Sequence, residues 1–134
     1  MAVTLFFLGL PYGNEPIKVD YTVDIEVFRV EGTDFDGCRV DVEEINLGRP
    51  YKGSSGDEAN ISFYRIVDGK KQYLNGYGYH ENILPHDIII KHGEVRELGN
   101  TYYFDDGTYD PGEYIVEVSV EHCDKVYTDT ITLT

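Results

Sequence analysis

The sequence predicts an all-β protein: one domain over residues 1–134, an antiparallel sandwich of about seven to nine strands. Three observations carry that expectation. Residues 17–27 alternate strictly between apolar and polar side chains. Gly, Pro, Asn or Asp interrupts the chain at intervals of about 8 to 15 residues, with runs rich in Val, Ile, Tyr, Phe and Thr between. No window of about a dozen residues carries the apolar stripe of an amphipathic helix.

The elements follow in order. Residues 2–10 are nearly all apolar and end at Pro11-Tyr12-Gly13, which predicts a buried or edge strand over residues 3–8. The run falls short of the roughly 18 to 20 apolar residues of a membrane span. No Lys or Arg precedes it, as a secretory signal would require. In residues 17–27, Ile17, Val19, Tyr21, Val23, Ile25 and Val27 share one face, with Lys18, Asp20, Thr22, Asp24 and Glu26 on the other. At Phe28 the apolar phase slips by one, predicting a bulge or a bend. Residues 38–45 read as the next strand. Residues 48–60 are polar and rich in Gly and Ser, predicting a mobile loop. Asn60-Ile61-Ser62 matches a glycosylation acceptor. Residues 61–67 and 72–76 flank Asp68-Gly69, a hairpin turn in which Gly supplies positive φ. Shorter strands are expected at 88–92 and 102–104. Residues 114–120 and 126–133 form a second hairpin around the turn 121–125.

One motif narrows the architecture. Asp110-Pro111-Gly112-Glu113-Tyr114 has the form D-x-G-x-Y at the start of the best late strand. It resembles the tyrosine corner of immunoglobulin-like sandwiches, in which the Tyr hydroxyl bonds back to the backbone just upstream. The motif covers only the C-terminal part of the chain, and the remainder is matched by strand count alone. Val116 stands where antibody domains carry a Cys, and the chain has no Trp for strand C. The resemblance implies that residues 17–30, 38–45, 114–121 and 126–133 are strands B, C, F and G. Loops 31–37 and 121–125 would then share one end of the sandwich, with Cys38 and Cys123 beside them. The two cysteines either bridge, which needs Cα atoms within about 7 Å, or remain two thiols.

Composition narrows the function. A formal net charge of −14 opposes direct nucleic-acid binding, and equally binding to an anionic membrane. Neither a G-x-S-x-G nucleophile motif nor a glycine-rich phosphate loop is present, so no catalytic residue is assigned and a non-enzymatic role is expected. Twelve Tyr are many for this length. Tyr73, Tyr77 and Tyr79, in a segment interleaved with Gly and Asn, and Tyr109 are the candidate ligand-binding residues, because Tyr offers a rigid contact surface with one polar tip. A protein or a carbohydrate is the expected partner. Tyr also fills half-buried sheet faces, so the same residues have a purely structural reading.

Asp105, Asp106 and Asp110 gather carboxylates at a Gly turn, the oxygen chemistry that Ca²⁺ favours, although Asp and Gly also build ordinary turns. No other cofactor is expected. His80, His86 and His92 are spaced too far along an extended chain to share one ion. His122 and Cys123 with Asp34 or Asp36 form a cross-loop metal set only if the strand assignment holds. The acids concentrate late: residues 81–134 hold twelve of them against three cations. The expected function is a recognition or structural module of a surface, virion or extracellular assembly. The alternatives are an acidic inhibitor that occupies a basic enzyme site, and a calcium-stabilised adhesion domain. An exposed edge such as residues 126–133 would allow a dimer.

Overall fold

The computed structural model of the chain describes residues 16–74, 77–78, 84–104 and 110–134, with the backbone alone at 77–78. In chain order the strands are β1 (Val19–Arg29), β2 (Asp36–Asn46), β3 (Tyr51–Ser54), β4 (Asn60–Val67), β5 (Lys70–Leu74), β6 (Tyr77–Gly78), β7 (Asp87–Ile90), β8 (Val95–Glu97), β9 (Asn100–Tyr103), β10 (Gly112–Ser119) and β11 (Tyr127–Leu133). Every pairing is antiparallel, and the described residues contain no helix. The chain is all-β.

Two sheets hold most of the strands. The first has the order β1-β2-β9-β6, with β8 also paired to β2. Its two short strands are one strand in effect. Val95↔Ile45 to Glu97↔Glu43 and Asn100↔Val40 to Tyr103↔Gly37 keep a single register. Leu98 N–H donates to the Val42 carbonyl at 2.8 Å in the gap between them. The second sheet has the order β11-β10-β4-β5, and β3 with β7 makes a separate ribbon. The inner faces of the sheets share a core of Val19, Tyr21, Cys38, Val40 and Val42 from the first and Phe63, Tyr114, Val116, Val118 and Ile131 from the second. Phe63 meets Tyr102 and Phe104 edge to face, with centroids at 5.0 and 5.3 Å.

The strict alternation of β1 is realised: Val19 and Tyr21 are buried while Asp20, Thr22, Asp24 and Glu26 face outward. The bulge expected at Phe28 is absent. Pairing with β2 runs unbroken from Val19↔Asn46 to Arg29↔Asp36. The reason is Gly37, whose missing side chain makes room for the Phe28 ring; a Cβ there would come within 2.6 Å of Phe28 Cζ. The loop expected over residues 48–60 also contains a strand. Tyr51 is buried, and the Asn46 amide nitrogen lies 3.0–3.2 Å from the carbonyls of Arg49, Ile90 and Lys91, which fixes the β3–β7 ribbon against β2. Asp68 (φ 52°) and Gly69 (φ 75°) both occupy the left-handed region, as the two-residue turn joining β4 to β5 demands.

The placement of strands B and C is corrected. Strands B and C of the immunoglobulin plan lie in different sheets, whereas residues 17–30 and 38–45 form β1 and β2, hydrogen-bonded neighbours in one sheet. The loop clustering fails with it. Thr134 N–H donates to Asp36 at 2.6 Å, so the far end of β11 meets the β1–β2 turn. The β10–β11 turn lies at the other end of β11, beside Tyr21, whose hydroxyl sits 2.8 and 2.6 Å from the carbonyls of Val118 and Lys125. Cys38 pairs with Val27, six residues along β1 from Tyr21, or about 20 Å at 3.3 Å per residue. Cys38 and Cys123 are therefore both free thiols, the first buried with its pKa pushed up to about 12 by that burial. The cross-loop set of His122 and Cys123 with Asp34 or Asp36 is separated in the same way. The edge of β11 is tied at both ends, since Tyr127 N–H also donates to the Tyr21 hydroxyl at 3.2 Å.

Candidate binding surface

The outer face of the first sheet is built by alternation. Because Val19 and Tyr21 point inward on β1, and Cys38, Val40 and Val42 on β2, their neighbours must point out. The outward residues are Asp20, Thr22, Asp24 and Glu26 on β1, then Arg39, Asp41 and Glu43 on β2, with Glu97 of β8 alongside. Register brings like charges face to face. Asp24 is the direct partner of Asp41, and Glu43 of Glu97. Like charges directly opposite one another in a sheet are destabilising. Arg39 reaches Glu26 and, at 3.3 Å, Asp41. Among the described residues Asp24, Glu43 and Glu97 have no cationic partner.

Gly99 packs directly against β2. It lies so close that a Cβ would come within 2.1 Å of the Val40 carbonyl oxygen, and only glycine fits. A trough of about 450 Å³ lies among Thr22, Asp24, Asp41, Glu43, Glu97 and Gly99. Beside it stand Ile45 and Val95, cross-strand partners on the same face. Val95 is 50% exposed, and Leu47 just beyond the end of β2 is exposed as well. The surface thus combines unpaired carboxylates with apolar side chains.

The inner side of the same strands is electrostatically closed. Glu44, next to Glu43, is directly opposite Arg96, next to Glu97. Arg96 lies 3.3 Å from Glu44 Oε1 and 3.3 Å from Asp57 Oδ2, and the Tyr51 hydroxyl donates to Glu44 at 2.9 Å. Burial, reinforced by the Glu44 carboxylate, pushes the Tyr51 phenol up to about 12. One dipeptide on each strand therefore neutralises its inner charge and leaves its outer charge bare.

The residues singled out in the sequence lie elsewhere. Tyr73 is exposed on the outer face of the second sheet opposite Tyr64, with centroids at 5.7 Å and ring planes at 66°. That pair is edge to face. Tyr77 lies in β6, paired with Tyr103. Tyr79, Tyr109, Asp105, Asp106 and His80 lie outside the described residues. The Asp110 side chain pairs with Arg65 at 3.1 Å, and its backbone carbonyl accepts the Tyr114 hydroxyl at 2.6 Å. Among the described residues no group of three or more His, Cys, Asp or Glu is placed to hold a metal ion, and no helix is long and apolar enough to cross a membrane.

The acidic trough escaped the sequence reading because its members come from three strands. The alternation of β1 showed Asp20, Asp24 and Glu26 on one face, but which carboxylates oppose them depends on register. No protein-family model, curated protein or solved structure matches the chain.

Proposed function

We propose that the chain is a non-enzymatic recognition module of immunoglobulin-like plan that docks a cationic protein segment on the outer face of its first sheet. The orders β11-β10-β4-β5 and β1-β2-β9-β6 correspond to the G-F-C-C′ and A-B-E-D arrangements of that plan. In this assignment Tyr114 opens strand F, and its bond to the Asp110 carbonyl is the corner expected there. Phe63 then takes the core position of strand C that antibody domains fill with Trp.

The observation that carries the function is the pair of like-charge contacts, Asp24↔Asp41 and Glu43↔Glu97, flanking a trough that Gly99 lines. A sheet face with only a structural task gains by alternating opposite charges across strands. This one leaves Asp24, Glu43 and Glu97 without cationic partners next to half-buried Ile45 and exposed Val95 and Leu47, the complement of a Lys- or Arg-bearing segment with apolar side chains. The same chemistry suits the basic site of an enzyme that the chain would inhibit.

Titration calorimetry with a synthetic peptide alternating Lys and Leu tests the reading. Removing two exposed ion-pair acceptors at ~0.2–1 kcal/mol each should weaken the Glu43→Gln/Glu97→Gln variant by roughly two- to thirtyfold. Equal affinity of the variant and the parent chain would sink the proposal.

A further inference from the structure

We infer that the segment docking on this face is the β4–β5 hairpin of a second copy of the chain, so that the protein associates head to tail. The inference rests on the docking role proposed above and names its partner.

The hairpin is the exception to an acidic molecule. Residues 65–71 hold Arg65, Lys70 and Lys71 against a single acid, Asp68, in a chain of net charge −14. It is apolar as well: Ile66 is 51% exposed and Val67 40%. The ladder to β10 ends at Tyr64↔Ile115, while β5 follows β4 out to Val67↔Lys70. The last three residues of β4 therefore have a strand partner on one side only. The Asp68-Gly69 turn, with both residues at positive φ, holds the tip in one conformation, so little ordering entropy is lost on docking. Among the described residues Lys70 has no ion-pair partner.

The two surfaces complement each other in kind. Lys70 matches Asp24, Glu43 and Glu97, while Arg65 and Lys71 are held by Asp110 and Glu117 of their own chain, and Ile66 with Val67 match Ile45, Val95 and Leu47. The hairpin belongs to the second sheet and the trough to the first, so each copy has one of each to offer. Engaged once between each pair of copies, such a heterologous contact propagates into rings or open chains. The overall repulsion between copies is long-ranged. At about 0.15 M salt it is screened beyond ~8 Å, whereas ion pairs in contact persist.

Sedimentation velocity at that ionic strength gives the test. The parent chain should show a mass that grows with concentration past the dimer. Lys70→Glu and Glu97→Lys alter exposed positions, and each variant alone should remain monomeric, with its fold checked by circular dichroism. Mixed together, the intact trough of the first and the intact hairpin of the second should give a species of two chains that grows no further. A monomeric parent chain at every concentration overturns the inference, as does a mixture that stays monomeric. If the Lys-Leu peptide still binds a monomeric chain in a manner sensitive to Glu43→Gln/Glu97→Gln, the docking face stands and only its self-partner falls; loss of both results removes both.

Discussion

At the residue scale, two buried tyrosines show what a motif conveys and what it leaves out. Tyr114 was legible because D-x-G-x-Y places its hydroxyl near the Asp110 carbonyl through local chain geometry. Tyr21 looked like one more inward residue of an alternating strand. Yet its hydroxyl lies within 2.8 Å of the Val118 and Lys125 carbonyls and accepts from Tyr127 N–H, joining the two sheets across about a hundred residues of chain. Lys125 adds to this knot, stacked over the Tyr21 ring at 4.6 Å and bonded to Asp20, whose carboxyl it holds below its usual range. Tyr114→Phe is expected to cost about 1–2 kcal/mol in urea unfolding, one bond and one stranded carbonyl. Tyr21→Phe should cost more, about 2–4 kcal/mol, because three backbone groups lose a partner. The buried Glu44–Arg96 pair sets a further expectation. Arg96→Met leaves the Glu44 carboxylate buried without a cation and should destabilise the chain by roughly 3–5 kcal/mol in the same measurement.

At the element scale, strands that declare themselves by alternation or by their turns were readable, and strands fixed by a distant partner were not. β1, β4–β5 and β10–β11 carry their own period or turn residues. β3 has four residues, Tyr-Lys-Gly-Ser, and no pattern; Tyr51 becomes a strand residue because the core, Glu44 and the β7 backbone receive it. β8 is three residues long and extends the register of β9 along β2, which no local window contains. The bulge inferred at Phe28 failed for a related reason, since the relieving glycine lies on the opposite strand. The same dependence on register hid the acidic face. Its cost gives an element-level expectation: Glu97→Gln removes the repulsion with Glu43 and should raise unfolding stability by about 0.2–1 kcal/mol while it weakens docking. A gain in stability coupled to a loss of binding is the behaviour of residues kept for function.

At the scale of the whole molecule, the division of charge organises the account. Along the sequence the acidic excess falls in residues 81–134. In the folded chain part of that excess is neutralised, Glu117 by Lys71 and Asp110 by Arg65. The carboxylates left without partners around Gly99 come from both the N-terminal half and β8, so linear charge counts could not find them. The cysteines teach the same lesson: loops named from an assumed strand order were put at one end, whereas the β1–β2 hairpin holds Cys38 and Cys123 at opposite ends.

The central claim is that the outer face of the first sheet is where this molecule meets a cationic partner. A backbone amide NMR titration of the ¹⁵N-labelled chain with the Lys-Leu peptide tests it most directly, because it reports where binding occurs. The account predicts shifts concentrated at Thr22, Asp24, Asp41, Glu43, Glu97 and Gly99 that fade as salt is raised. Shifts centred instead on Tyr64 and Tyr73, or spread evenly over every acidic surface, would contradict it.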